Sequence, residues 1–286
     1  KLCDQKVAGV VGHLQSGTSI PASAVYAKCD MPHITASASN PDLTKPGHKT
    51  TFRLIANDNA LGAALALFGA DHLKIKTVAI IDDRTAYGQG VASVFKATAL
   101  QKGVKVVGEE FTNDKATDFM AILTSIKNKK PDAIFYGGLD AQAGPMLRQM
   151  EQLGLSGVKY FGGDALCTEK LPELASKTQA LKNVTCATGG ASVDKMQGGA
   201  DWKKRYDAKF PGQFQIYSPY AYDATMVLAD AMKRANSVDP KVFNAFISKT
   251  EYTGVTANIA FTSKGELTTP AVTLSAYKDG RRIALN

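Results

Sequence analysis

From residue 7 to residue 162 the chain alternates short apolar runs with amphipathic stretches of helical period, and this alternation most narrows the folds open to it. A strand, a helix and a further strand of the same kind bring the chain back to the same end of a sheet, so the pattern predicts β-α units on a parallel sheet. Strands are expected at 7–12, 33–36, 77–82, 104–109, 133–136 and 160–162. Helices are expected between them at 22–28, 61–72, 90–102, 119–128 and 143–153, where apolar residues recur at helical spacing. Asp118 suits the N-cap of the fourth helix, and Gly103 and Gly154 stop two others. After a strand-like run at 184–188, helices are expected at 200–210, 217–235 and 240–248. Closing strands at 259–261 and 271–277 follow, with turns at Lys264-Gly265 and Asp279-Gly280.

A length of 286 residues suits two lobes better than one small domain. No linker, repeat or low-complexity tract divides the chain, so several strand-like crossings rather than one flexible tether should join the lobes. With 44% hydrophobic and 21% charged residues, disorder and fibrous repeats are excluded. The longest apolar stretch, 61–70, contains Gly69 and falls well short of the ~18 residues a membrane-spanning helix requires.

The net charge of +8 raises the question of nucleic acid. Of the 34 basic residues, 27 are Lys and only seven are Arg, the residue whose planar fork reads phosphates and base edges. Lys127, Lys129 and Lys130 form the one dense cluster, at the end of a predicted helix where cations meet the negative end of the dipole. A solvated basic surface is therefore preferred to a nucleic-acid footprint, and no helix-turn-helix pattern is visible.

The four cysteines, Cys3, Cys29, Cys167 and Cys186, show no C-x-x-C spacing that would suggest zinc or a redox motif. Cys3–Cys29 with Cys167–Cys186 is the most economical of three pairings, each pair being nearest in sequence and within one predicted lobe. Four buried thiols in a reducing compartment are the alternative.

Ligands of parallel sheets bind beyond the carboxyl ends of the strands, so the loops there carry the chemistry. The first is Gly12-His13-Leu14-Gln15-Ser16-Gly17-Thr18-Ser19-Ile20-Pro21, small and polar, with Pro21 placed for a first helical turn. Free amides and hydroxyls at a positive helix end suit an anion. Thr18 stands where a P-loop needs its Lys, so a carboxylate is a better guest than a nucleotide phosphate. The second loop, Thr35-Ala36-Ser37-Ala38-Ser39-Asn40-Pro41, repeats this chemistry one strand away. Ordinary capping and turn formation is the competing explanation for each loop.

Asp164, after Gly162-Gly163, can pair with an ammonium group, although a lone Asp after Gly-Gly is more often a turn residue or helix cap. Tyr87, in the loop after the strand at 77–82, can cover a ligand or pack on the next helix. Enzymatic patterns are lacking: His13, His33, His48 and His72 have no metal-ligand spacing, and no G-x-S-x-G elbow occurs. Gly88-Gln89-Gly90 begins a dinucleotide fingerprint, but Ser93 replaces its third Gly. No enzyme, cofactor or metal is expected.

Gly12-His13-Leu14 with Ser16, Pro21-Ala22-Ser23, Ser39-Asn40-Pro41-Asp42-Leu43-Thr44, Tyr87-Gly88-Gln89-Gly90, Tyr136-Gly137-Gly138 and Met146-Leu147-Arg148-Gln149 occur in a familiar order. Together they resemble the leucine/isoleucine/valine-binding proteins of bacterial ABC transporters, of the type I periplasmic-binding fold, over nearly the whole chain. The resemblance implies an α/β protein with two Rossmann-like lobes on parallel-sheet cores, here 1–55 plus 190–260 and 56–189 plus 261–286, joined by three crossings. It implies a periplasmic monomer that traps an amino acid as the lobes close and passes it to an ABC permease, with no nucleic acid and no membrane insertion. It places Ser16, Ser37 and Ser39, with the Ala38 backbone, as carboxylate and ammonium contacts of the first lobe. Asp164 becomes the acidic ammonium ligand and Tyr87 an aromatic wall of the second lobe. Tyr220 and Asp223 lie near another wall, with helix packing the alternative for Asp223. Leu139 stands where leucine-binding relatives carry Tyr, and Asp164 is one methylene shorter than their Glu, so the pocket should differ in size. Relatives also have a leading segment of about 60 residues before the match to Lys1, so the first lobe is expected to lack its opening β-α units. A ligand sensor of the same fold, responsive to an amide or urea, is the alternative function.

Overall fold

The structure, a computed structural model, describes residues 1–285. In chain order the first elements are β1 (Val10–Val11), α1 (Ser16–Lys28), β2 (His33–Thr35), β3 (Thr51–Arg53) and α2 (Asp58–Leu67). There follow β4 (Thr77–Asp82), α3 (Ala86–Gln101), β5 (Lys105–Phe111), α4 (Met120–Lys129), β6 (Ala133–Gly137), α5 (Asp140–Gln152) and β7 (Lys159–Gly162). The last are α6 (Leu171–Leu174), β8 (Val184–Thr188), α7 (Gly199–Lys209), α8 (Ser218–Ala235), α9 (Pro240–Ile247), β9 (Tyr252–Thr253), β10 (Asn258–Ile259), β11 (Thr273–Lys278) and β12 (Arg281–Ala284). They form two compact units: Lys1–Asn57 with Gly190–Ala271, and Asp58–Gly189 with the stretch from Val272 onward.

In the first unit β1, β2 and β3 form a parallel sheet with β2 in the middle. Ile34, Phe52 and Leu54 join Ala224, Val227, Leu228 and Ala231, which recur along one face of α8, and Phe243 and Ile247 of α9 in one core. Phe261 belongs to the same core, its ring centroid 5.0 Å from that of Phe52. Residues 261–271 therefore sit in the first unit, whereas the sequence division assigned them to the second lobe.

The second unit is built on a seven-stranded sheet of order β12-β11-β8-β7-β6-β4-β5. It is parallel from β5 to β8 and antiparallel at β11 and β12. Its central strands are buried on both faces. Val78, Ile80, Ala133, Phe135 and Phe161 join α2 and α3 in one core, while Ala79, Ile81, Ile134, Tyr136 and Tyr160 join α4, α5 and α6 in the other. Such two-sided burial is why these strands read as continuous apolar runs.

Several boundaries differ from the sequence expectation for local reasons. Helix α1 begins at Ser16, six residues before the expected start, and Pro21 lies inside it rather than in its first turn. The hydroxyls of Thr18 and Ser23 bond back to the carbonyls of Gln15 and Ile20, and that of Ser19 to His13, so the residues that suggested a loop satisfy themselves within and beside a helix. Helix α3 begins at Ala86, which puts Tyr87 in its first turn and not in a loop. Thr85 caps it by accepting the Gly88 N–H at 2.9 Å, and Asp83 in turn accepts the Thr85 hydroxyl at 2.6 Å. Asp118 accepts the Met120 N–H at 3.0 Å, one position ahead of the N-cap at Phe119. The expected helix at 61–72 is α2 followed by a π-turn, Phe68–His72. Strands β3 and β12 were missed because Thr51–Arg53 and Arg281–Ala284 carry mixed polar residues instead of an apolar run. Both Asp279 and Gly280 have positive φ, 51° and 72°, as the two-residue hairpin before β12 requires. Cys3 is bonded to Cys29 and Cys167 to Cys186.

His33, in the middle strand of the first unit, is fully buried among aromatic neighbours: Tyr26 at 5.4 Å and His13 at 5.7 Å between ring centroids. Burial, reinforced by the His13 charge, lowers its pKa from 6.5 to about 4. The unfolded chain therefore takes up a proton near pH 6.5 that the folded chain refuses until about pH 4. Stability is present above pH 6.5 and is lost as the pH falls toward 4, by about 3 kcal/mol in total. Urea unfolding across this range should show that loss in the native sequence and a shallower slope in His33→Gln; equal slopes would remove His33 as the cause.

Candidate functional site

The candidate residues of the second unit follow three strands that are neighbours in the sheet. Tyr87 follows β4, Leu139 follows β6 and Asp164 follows β7, and the sheet order is β7-β6-β4. All three strands are parallel, so the three residues share the carboxyl edge where parallel sheets bind ligands. Asp164 opens a single 3-10 turn, Asp164–Leu166. The Ala165 N–H donates both to Asp164 Oδ1 at 3.0 Å and to the Tyr87 hydroxyl at 3.2 Å, which brings tyrosine and carboxylate to one point. A Cβ at Gly163 would press on the Tyr87 hydroxyl, so this approach needs glycine.

The turn bearing Asp164 is anchored on its far side. The Cys167 N–H donates to the Asp164 carbonyl at 2.9 Å, and the Cys167–Cys186 bridge ties the end of the turn to β8. The Tyr277 hydroxyl spans the carbonyls of Leu166 and Thr168, at 3.2 and 2.7 Å. Leu139 is half-buried at the N-cap of α5. The hydroxyl of Tyr136, on the neighbouring end of β6, has its pKa driven up chiefly by burial and secondarily by the Asp83 charge. Asp83 is itself shifted upward, by burial that its hydrogen bonds from Thr85 only partly offset.

In the first unit Ser16 follows β1, and Ser37, Ala38 and Ser39 follow β2, again at the carboxyl edge of paired parallel strands. All four residues are buried. The two loops are cross-linked: Ser16 Oγ accepts the Asn40 N–H at 3.2 Å, and the Ser37 hydroxyl donates to the Leu14 carbonyl at 2.8 Å. Thr35 Oγ1 accepts the Ala38 N–H at 2.9 Å and donates to the His13 carbonyl at 3.0 Å. Ser37 and the Ala38 amide are thus engaged in shaping the loops. The Ser39 hydroxyl, fully buried, has no hydrogen-bond partner among the described residues.

Tyr220, from α8, packs with Ala36, Ile55 and Met196 and donates to the Ala191 carbonyl at 3.2 Å. Asp223 accepts the N–H groups of Val255 and Thr256 and the Thr256 hydroxyl, at 3.0, 2.7 and 2.6 Å, so it clamps a loop to the helix, as the packing alternative anticipated.

Sequence reasoning missed the group that holds the serine loop. Arg53 is fully buried at the end of β3. Its Nη1 donates to the carbonyls of Ala38 and Asn40 at 2.7 and 3.0 Å, and its Nε and Nη2 form a two-point bond to Glu266 at 3.0 and 2.6 Å. Burial pushes the Glu266 carboxyl up, but Arg53 and the Thr44 and Asn57 side chains outweigh it and hold it below the usual carboxylate range. An arginine inside the apolar run Phe52-Arg53-Leu54-Ile55 was the available signal.

Among the described residues no group of His, Cys, Asp and Glu side chains is arranged to hold a metal, and no helix is long and apolar enough to cross a membrane. The model of the periplasmic binding protein family matches residues 1–281. The chain belongs to this family. Periplasmic binding proteins similar to it include the Leu/Ile/Val-binding protein homolog 1 of Brucella suis, 32% identical over 273 residues that make up 95% of this chain and 72% of the relative. A leucine-, isoleucine-, valine-, threonine- and alanine-binding protein of Pseudomonas aeruginosa is 29% identical over 267 residues, 93% of this chain and 70% of that one. Among solved structures, a leucine-binding protein of Thermotoga maritima matches with a TM-score of 0.90 at 25% identity, over 99% of this chain and 80% of its own. A branched-chain amino acid transporter substrate-binding protein of Streptococcus pneumoniae, in complex with isoleucine, matches with a TM-score of 0.87, at the same identity and coverage. Family and fold are those of solute-binding proteins rather than of enzymes.

In this periplasmic binding protein, Arg53→Met would leave Glu266 without its cation and free two loop carbonyls. Unfolding free energy should fall by about 3 kcal/mol, the cost of breaking a mostly buried pair. Arg53→Met combined with Glu266→Met should recover part of that loss in a urea titration, and a double variant no better than the single one would show that the charge pair is not the source.

Proposed function

We propose that the protein binds an aliphatic, branched-chain α-amino acid outside the cytoplasm, in the periplasm, and delivers it to an ABC permease. The observation that carries this reading is the convergence of Asp164 and Tyr87 on the Ala165 N–H at the carboxyl edge of three adjacent parallel strands, in a chain whose relatives are named for leucine, isoleucine and valine. Asp164 in the second unit is a buried carboxylate suited to an ammonium group, and the Ser16 and Ser39 loops in the first unit carry hydroxyls suited to a carboxylate, the two charged groups of an α-amino acid. Leu139 contributes an apolar surface for the side chain. Two disulfides suit an oxidising, extracytoplasmic compartment.

Binding works by differential contact: the conformation that gives the zwitterion the most contacts is the one the ligand favours. Isothermal titration against the common amino acids should give saturable binding of leucine, isoleucine or valine, and silence toward all of them would overturn the reading. Asp164→Ala should weaken the bound amino acid by about 2–5 kcal/mol, as expected when one member of a buried charge pair is removed. An unchanged affinity would take Asp164 out of the site.

A further inference from the structure

Helix α1 is held to its sheet by a polar face. The residues it buries are Ser16, Ser19, Ser23 and Tyr26, while Val25 stands 53% exposed on the outside. By contrast α3 buries Val91 and Phe95, and α5 buries Leu147 and Met150. Apolar burial stabilises by about 25 cal/mol per Å², so a face made of serines contributes little. The hydroxyls of Ser19 and Ser23 bond back to the His13 and Ile20 carbonyls and not to a strand. An element with so few apolar contacts opens locally at a lower cost than the whole unit unfolds.

What α1 covers is His33. Three rings from three elements form the contact: His13 from the loop after β1, Tyr26 from α1 and His33 from β2. The Tyr26 hydroxyl lies 2.7 Å from His13 Nε2 and closes the clasp. In the flanking strands the residues in register with His33 are Val10 and Thr51, which carry no charge. Neither ring nitrogen of His33 has a hydrogen-bond partner among the described residues. A proton on this ring therefore meets no carboxylate there and faces a second imidazole. Such a buried ion calls for water, and lifting α1 admits it at the lowest cost.

The segment that would lift also ties the serine loops together. Thr35 donates to the His13 carbonyl, Ser37 to the Leu14 carbonyl, and Ser16 accepts the Asn40 N–H. At the other end of α1 the C-cap residue Cys29 is bonded to Cys3, which leaves the Ser16 end as the one that can move. We propose that α1 is an acid-released latch on the serine loops: a proton on His33 frees the Ser16 end of the helix before the rest of the first unit unfolds. Its consequence for a bound amino acid rests on the function proposed above, whereas the opening itself does not.

The covered ring titrates at about 4 and the opened ring at the ordinary 6.5, so the opened form takes up the proton first and acid favours it. The gain is tenfold per pH unit between these values, about 300-fold in all. Amide hydrogen exchange on the whole chain, expressed as protection factors from pH 7 to 4.5, reads it directly. Protection in α1 should fall about tenfold per pH unit below 6.5 while that of α8, in the same unit, holds. In His33→Gln the α1 slope should vanish. Tyr26→Phe, which keeps His33 and opens the clasp, should lower α1 protection about fivefold at pH 7, as loss of one hydrogen bond does. Flat α1 protection, loss in step with α8, or a slope that survives His33→Gln would overturn the proposal. Leucine affinity should fall more steeply between pH 6.5 and 4.5 in the native chain than in His33→Gln, and equal falls would overturn the link to the serine loops. A chain whose α1 opens in acid but which binds no amino acid would instead count against the proposed function and leave the latch standing.

Discussion

The first unit depends on one buried cation. Arg53 has no access to water, and every direction in which its guanidinium donates is answered by the carbonyls of Ala38 and Asn40, the Thr44 hydroxyl or the Glu266 carboxylate. Burying such a charge is tolerable only when its hydrogen bonds are complete. The same completeness gives the loop after β2 a single conformation, because its carbonyls are fixed from one side while Ser16 and Leu14 tie it from the other. Glu266 comes from a segment more than two hundred residues away, so the loop after β2 is shaped only once distant parts of the chain have met.

The second unit solves the corresponding problem with neutral groups. Asp164 is presented by a single 3-10 turn, too short to be rigid by itself. Rigidity is borrowed from the sheet: from β8 through Cys186, from β11 through Tyr277, and from α3 through Tyr87. A carboxylate held this way is preorganised, and less ordering remains to be done when a ligand arrives. Both units place their candidate groups at the carboxyl ends of parallel strands, and each then immobilises them by means the loops themselves do not contain.

Legibility followed the physics of each segment. Strands β4 and β8 were read to the residue, because two-sided burial writes an uninterrupted apolar run such as Val78-Ala79-Ile80-Ile81. Gly103 and Gly154 were read as helix stops and have the positive φ that such stops use. The start of α1 was not legible: Ser16, Gly17, Thr18 and Ser19 have the composition of a loop, and their helical state depends on hydroxyls turned back onto the backbone and to His13. Strand β3 was missed because Thr51 and Arg53 are polar and their burial is arranged by tertiary partners. The candidate residues were legible as chemistry, since small hydroxyl residues and an acid after strands are visible in one dimension. Which hydroxyls are already engaged, as that of Ser37 is and that of Ser39 is not, was invisible there.

The sequence by itself determined the α/β class, the parallel order of β-α units and the loops where binding groups would collect, because apolar periodicity and turn residues are local properties of the chain. It also carried enough ordered motifs to point to the family. Only the tertiary structure decided the adjacency of β4, β6 and β7, which gathers Tyr87, Leu139 and Asp164 on one edge. Likewise it decided that Arg53 and Glu266 would meet and that four cysteines would form these two bridges. Strand order, ion pairing and cross-linking join residues distant along the chain, so they are settled only when packing brings those residues together, with the ion pair strengthened as water is removed from between its charges.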